Sequence, residues 1–477
     1  MATAAATRES ERPSKEWTPL LVSQDTISSE HGAAAVDNLN DDDDDKLAGR
    51  TSFAQTVVNL MKTCMGTGCL ALAFCAQQGG IVVFCGGLLV IAAWNVFAVQ
   101  RLIQCLEYLP PQALRMTADA TRIVSDESLD TTRGGSWEQQ EQSNEGTMNG
   151  TTATRIHCGQ EPLPPAGTST LGIVAWYAFG PTGLQVLDAM MVILLIGIIT
   201  AYLAAVVSFM ADTPFTVGPL FDAVFTAVVM ATISLVPNIG FLSHASAVGL
   251  LVLLGAFLVI AGYGVATNNS AATAPISLAV WPESLAGVSQ WFGCVVFGFG
   301  VAPLTYNFRS SMREPARMVP ATAWALFAVA AAYIIAGVGL YALYPHISGE
   351  LLHELPRSGA LPVLTRLAMV AVVWMTAPLL IVPCGQLLEG KWQTDNRAAV
   401  RFGICGVAVM FAVALPSFVQ VLSFVGCACV GMVSFCMPPL LHLRLSSRSA
   451  DRKTMKVDGI MLAWGLIATL ISTFYSI

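Results

Sequence analysis

Apolar residues run in long blocks along most of the chain, and a block of about 20 is what an α-helix needs to cross a bilayer. Eleven such blocks stand out, at 53–76, 81–105, 182–210, 217–236, 243–266, 288–307, 318–344, 361–386, 401–415, 417–441 and 457–476. The ninth is short, and Pro416 separates it from the tenth. This pattern predicts an all-α polytopic membrane protein of about eleven transmembrane helices. Two polar stretches interrupt it. Residues 1–51 end in the acidic run Asp41 to Asp45, and residues 107–170 are rich in Thr, Ser, Glu, Gly and Pro. Neither carries enough apolar side chain for a packed core, so both are expected to be disordered. The membrane domain is then 52–477, with 107–170 as an insertion that acts as a linker or a regulatory segment.

The first block holds the residues that least suit lipid. Within Asn59 to Phe74 stand Lys62 and, one residue apart, Gly66 and Gly68. Glycine costs about 1 kcal/mol relative to alanine in a helix, so the ladder is weakest around Thr67. Broken backbone at membrane depth is tolerated where it lines a cavity or is buried in protein, and close packing of neighbouring helices would also use glycine. Placing a lysine at a helix centre costs about 2.5–3.5 kcal/mol on insertion scales. Lys62 therefore reads as functional, or as a side chain that snorkels to the near interface.

Composition agrees with the pattern: 477 residues, 55% hydrophobic and 12% charged, a mean hydropathy of +0.63, against about 25% charged in a soluble domain. The net charge of −7 is dominated by the tail, which opens without the apolar stretch of a signal peptide. Of the 24 basic residues, all but Lys62, Arg357 and Arg366 fall on one side of the membrane if the amino terminus is cytosolic, as the positive-inside rule expects. Asn149 then lies in an inside sequon and Asn268 in an outside one. Eleven of the 12 cysteines fall in apolar blocks and Cys158 in the cytosolic insertion, so no structural disulfide is expected. The pattern holds no nucleophile elbow, phosphate loop or metal-ligand spacing, so neither an enzyme nor a cofactor or metal is expected. Glu16 followed by Leu20 and Leu21 fits the acidic dileucine pattern read by sorting adaptors, which would favour a vacuole or lysosome over the plasma membrane.

The order of landmarks resembles the amino acid/auxin permease family, the transmembrane amino-acid transporters. The opening signature is matched at Asn59, Leu60, Lys62, Gly66, Thr67, Gly68, Leu70 and Ala71. Ala178 to Gly183 is similar to the approach to the third helix, and Tyr202 stands where that helix carries a tyrosine. Phe297 to Gly300 with Met312 and Pro315 looks like the sixth helix and its exit. Thr376, Pro378, Pro383 and Glu389 follow in the eighth, and Phe424 to Gly426 with Pro438 and Pro439 in the tenth. One departure is Ala73, where the family places a proline.

The resemblance implies a five-plus-five inverted repeat like that of the bacterial leucine transporter, with helices 1 and 6 unwound and an eleventh helix outside. It implies secondary active amino-acid transport, with an amino-acid substrate bound by Thr63, Cys64, Gly66, Thr67 and Gly68 in the first helix and by Phe297, Gly298, Phe299 and Gly300 in the sixth. Phe297 and Phe299 are candidates for an aromatic gate, although alternate phenylalanines also suit core packing. Tyr202 is a candidate for the substrate carboxylate or for an interhelical hydrogen bond. Sodium-coupled members use an asparagine at the position of Lys62 and a threonine that Thr376 resembles. An ammonium cannot ligate sodium, so transport is expected to be sodium-independent, proton-coupled or an exchange. Asp188, Asp222, His244 and Glu389 lie near block ends, as interfacial residues or as further proton carriers. The alternative is a transporter-like amino-acid sensor that signals through its cytosolic tail and loop.

Overall fold

The computed structural model describes residues 51–111, 113, 163–165, 168–236, 240–270, 278–344, 346–394, 396–415, 417–447 and 452–476, with backbone alone at 240–247 and 268–270. The acidic tail with its dileucine pattern, Asn149, Cys158, Pro416, most of the 107–170 insertion and the side chains of His244 and Asn268 lie outside the described residues.

The helices follow the apolar blocks. They are α1 (Phe53–Cys64), α2 (Leu72–Cys105), α3 (Thr170–Ala211), α4 (Pro219–Ser234), α5 (Gly240–Ser270), α6 (Leu285–Gly298), α7 (Thr305–Ser311) and α8 (Met318–Leu343). The second part holds α9 (Ala360–Thr376), α10 (Pro378–Trp392), α11 (Arg397–Ala414), α12 (Phe418–Val425), α13 (Met437–Ser446) and α14 (Arg452–Ser476), with two π-turns between α12 and α13. Among the described residues nine helical runs are long and apolar enough to cross a membrane, and Pro219–Ser234 is a shorter apolar helix. The remaining difference from eleven lies in α2, where the end of the first span runs into the second through a bend. At that bend Gly80 has φ +65°, and a methyl group there would meet the backbone carbon of Trp281 at 2.6 Å. Only glycine suits both the conformation and the approach.

Packing pairs the first five spans with the second five. α2 lies on α8 and α4 on α11, each against its counterpart. Several further contacts come in exchanged sets: α2 with α6 and α1 with α8; α5 with α9 and α3 with α12; α3 with α11 and α4 with α10. Such reciprocity is what two inverted halves produce. The last helix, α14, stands outside both sets and rests on α6 and α13.

Short backbone bridges tie the first and sixth spans at both ends. On the side of the basic loops, Thr51 N donates to Ser311 O at 2.7 Å and Arg313 N to Thr51 O at 3.0 Å. On the other side, Ile81 N donates to Ala279 O at 3.0 Å and Val82 N to Val280 O at 3.2 Å. The α1 start is a capping box, in which Ser52 Oγ accepts from Gln55 N and Gln55 Oε1 accepts from Ser52 N.

Buried charge joins the elements near the basic face. Asp458 at the start of α14 is fully buried; its Oδ1 lies 2.6 Å from Arg101 Nε of α2, and its Oδ2 lies 2.6 Å from His442 Nδ1 of α13. Arg401 of α11 reaches Ser234 O and stands 3.9 Å from Glu389. The eleven described cysteines are free.

Candidate functional site

The first and sixth spans break by the same succession of turns. α1 stops at Cys64, Gly66 N bonds back to Cys64 O at 3.0 Å, and a 3-10 turn over Thr67–Ala71 leads into α2. In the sixth span Val301 N bonds back to Phe299 O at 2.8 Å, and a 3-10 turn over Ala302–Leu304 leads into α7. Pro303 has no N–H to continue the α-helical ladder there. Aligned turn by turn, Met65 corresponds to Gly300, and among the described residues neither carbonyl has a hydrogen-bond partner. A carbonyl left open inside a membrane protein requires a polar cavity or a ligand. Each break also sets a negative helix end against a positive one. Two such breaks side by side suit a molecule with an ammonium and a carboxylate.

The breaks touch each other. A methyl group on Gly68 would lie 3.3 Å from Phe297 Cδ1, so this glycine serves the approach of the two spans, while the extended residue after α1 is Gly66. Tyr333 of α8 links both. Its hydroxyl donates to Cys64 O at 2.7 Å and accepts from Cys69 Sγ at 3.2 Å. Its ring meets Phe299 edge-on with centroids 5.7 Å apart. Phe299 is fully buried, whereas Phe297, Gly298 and Gly300 are half-buried.

Residues 49–120 and 166–477 match the sequence model of a family described as transmembrane amino acid transporter protein, with 121–165 left out of the match. The chain belongs to this family of amino-acid transporters. The two open breaks are therefore the candidate substrate cradle of the transporter, with Cys64, Thr67, Gly68 and Phe297 brought together and Tyr333 bracing them.

Other candidate residues of the transporter stand apart from this contact. Thr63 is exposed, and its hydroxyl turns back to Asn59 O at 2.9 Å. Lys62, one turn before the break, is half-buried and has no ion pair among the described residues. Thr376 turns its hydroxyl back to its own helix, donating to Val372 O at 2.8 Å, and Tyr202 of α3 is half-buried. Asp222 caps the first turn of α4 by accepting from Thr216 Oγ1 at 2.6 Å and Val217 N at 3.3 Å. Among the described residues no His, Cys, Asp or Glu cluster could hold a metal.

Tyr333 and Pro303 were not singled out by sequence. A proline inside an apolar block was a signal for the second break, but a tyrosine in the seventh span has no spacing that marks it. Tyr333→Phe keeps the ring against Phe299 and removes the donor to Cys64 O. The loss of about 1–1.5 kcal/mol, expressed at the cradle, raises the Km for amino-acid uptake about tenfold with a small change in melting temperature. An unchanged Km in uptake kinetics would leave Tyr333 with a packing role alone.

Proposed function

We propose that this transporter is a secondary active carrier of amino acids that works without sodium, coupled to protons or running as an exchanger. The observation that supports this best is Lys62. It enters the first span from the side of the basic loops, one turn before the open Met65 carbonyl, and no acidic side chain pairs with it among the described residues. In this reading its ammonium takes the place that a sodium ion would need. The substrate ammonium is held by the Met65 and Gly300 carbonyls, and the carboxylate faces the amides that open the two 3-10 turns. With the basic loops in the cytosol, the amino terminus is cytosolic and the carrier resides in a vacuolar or lysosomal membrane, or in the plasma membrane.

Uptake of a labelled amino-acid mixture into proteoliposomes tests the reading, under a proton gradient, a sodium gradient or neither. Proton-driven accumulation indifferent to sodium is the expected result, and Lys62→Ala is expected to lower it at least about tenfold or to abolish its pH dependence. Wild-type rate and pH profile in Lys62→Ala would remove the lysine from the mechanism. Accumulation that requires sodium would overturn the sodium-independent reading, and binding without flux would favour a sensor.

A further inference from the structure

The loop between α8 and α9, on the face opposite the basic loops, is seated over the cradle. Its short turn Leu351–Glu354 packs against the Thr67–Ala71 turn of the first break, with Leu351 and Leu352 buried. Ile347 N donates to Gln77 Oε1, at the end of the first span, at 3.2 Å. Arg366 of α9, fully buried, holds the loop from the other side by donating to Leu352 O at 2.9 Å, Leu355 O at 2.8 Å and Pro356 O at 3.0 Å. At the end of α3, Asp212 binds His353 Nδ1 and stands 3.0 Å from Arg357 Nε and 3.8 Å from Arg366.

Inside this seat lies Glu350, 1% exposed. His353 Nε2 is 3.6 Å from its Oε1 and 3.0 Å from Ser208 Oγ, yet neither carboxyl oxygen has a well-formed hydrogen bond among the described residues. An ionised carboxylate left so is strongly disfavoured. The charged groups around it are Asp212 from α3, His353 and Arg357 from the loop, and Arg366 from α9. The first-span turn brings only Cys69. Tyr263 of α5, Tyr344, His346 and Glu354 line a pocket that does not include Glu350.

We propose that Glu350 is a proton-binding site on the face opposite the basic loops, occupied when the α8–α9 loop is seated and vacated to water when the loop lifts, so that proton uptake and sealing of the cradle are one equilibrium. Burial is the main cause that lifts the Glu350 carboxyl, to about 8, with Asp212 adding to the rise and Ser208 and Arg366 opposing it. In the lifted loop, water returns the group to the ordinary value of about 4.3. The seated form therefore gains from protonation fully below pH ~4.3 and loses that gain as pH rises through about 8, by up to about tenfold per pH unit between the two. The proton comes from bulk water on that face and returns to it, with no bond made or broken other than O–H.

The coupling to transport rests on the carrier reading above, but the proton site can be tested without flux. Hydrogen–deuterium exchange of segment 347–357 in the full-length reconstituted protein, corrected for intrinsic pH dependence, should show protection that falls as the pH is raised from 5.5 to 8.5. Glu350→Gln, neutral at every pH, should keep the segment protected throughout. Flat protection in the wild-type protein overturns the proposal, and so does a wild-type pH profile in Glu350→Gln, which would assign the titration to another group such as His353. Should Glu350→Gln fold poorly, His353→Gln is the second variant: a wild-type exchange profile there supports Glu350, and a flat one overturns the proposal. Failure of flux with a normal exchange profile would sink the carrier reading and leave the site standing.

Discussion

Gly293→Val is expected to yield no folded, monodisperse protein. Gly293 of α6 faces the end of α12 and the first π-turn, backbone to backbone. A methyl group on it would touch Ser423 O and lie 2.7 Å from both Ser423 C and Cα, while one on Gly426 would touch Gly293 O. None of these atoms belongs to a side chain that can rotate away. Small residues at such crossings are what hold membrane helices together. Overpacking alone costs about 1–3 kcal/mol, and a branched side chain here must also part the sixth and tenth spans. That displaces the Phe299–Val301 break, against a total stability of about 5–15 kcal/mol. Size-exclusion profiles and melting curves in detergent check it, with Gly86→Ala as the control. Gly86 has nothing within 4 Å of a methyl group, and the exchange there is expected to be neutral or to stabilise by up to about 1 kcal/mol. A wild-type melting curve for Gly293→Val would show that the crossing yields.

The second large effect is expected at Asp458→Asn, with a loss of about 3–5 kcal/mol. Asp458 is the sole carboxylate paired with Arg101 among the described residues, and Arg101 is 11% exposed. Without the carboxylate's charge, a guanidinium remains unneutralised inside the bundle, with Gln104 Oε1 at 2.6 Å and the Phe97 ring at 4.6 Å beside it. The single amide oxygen of asparagine can accept from only one of the two nitrogens that the carboxylate serves, Arg101 Nε or His442 Nδ1. The expected sign of compensation is the sharper test. Replacing the pair together, by Arg101→Met with Asp458→Leu, should recover much of the lost stability, because a buried ion pair contributes little over apolar packing while half of one is strongly unfavourable. Thermal unfolding of the two variants in the same detergent decides it. A double variant no better than Asp458→Asn would mean that the pair itself, rather than its integrity, supports the fold.

The apolar blocks foretold the helices closely, because bilayer thickness makes each span announce itself by length. Where two spans are joined by a bend as tight as Gly80, the pattern marked the division correctly although the helical run is continuous. The first break was legible at Gly66, and the structure separates the two glycines that sequence grouped: one sits in the break, the other under Phe297. The second break was expected from the family resemblance at Phe297 to Gly300, while Pro303 passed as one more proline in an apolar block. Tyr333, Glu350 and Asp458 were not legible. Each derives its chemistry from partners 16 or more positions away, such as His442 for Asp458 and Cys64 for Tyr333, or from burial under a loop. Linear spacing encodes neither. Arg366 did stand out as a charge within a block, and its three carbonyl partners explain how it remains there.

The bridges at Thr51 and at Ile81–Val82 make the first and sixth spans a braced strut. Main-chain bonds at each end resist sliding along the axis, so slack exists only at mid-length, where each span has its non-helical turn. In the transporter these two spans are therefore tied to move together, and any lengthening at one turn has to be matched at the other. Strain introduced near Cys64 will therefore surface at Phe299, even though 235 positions separate them along the chain.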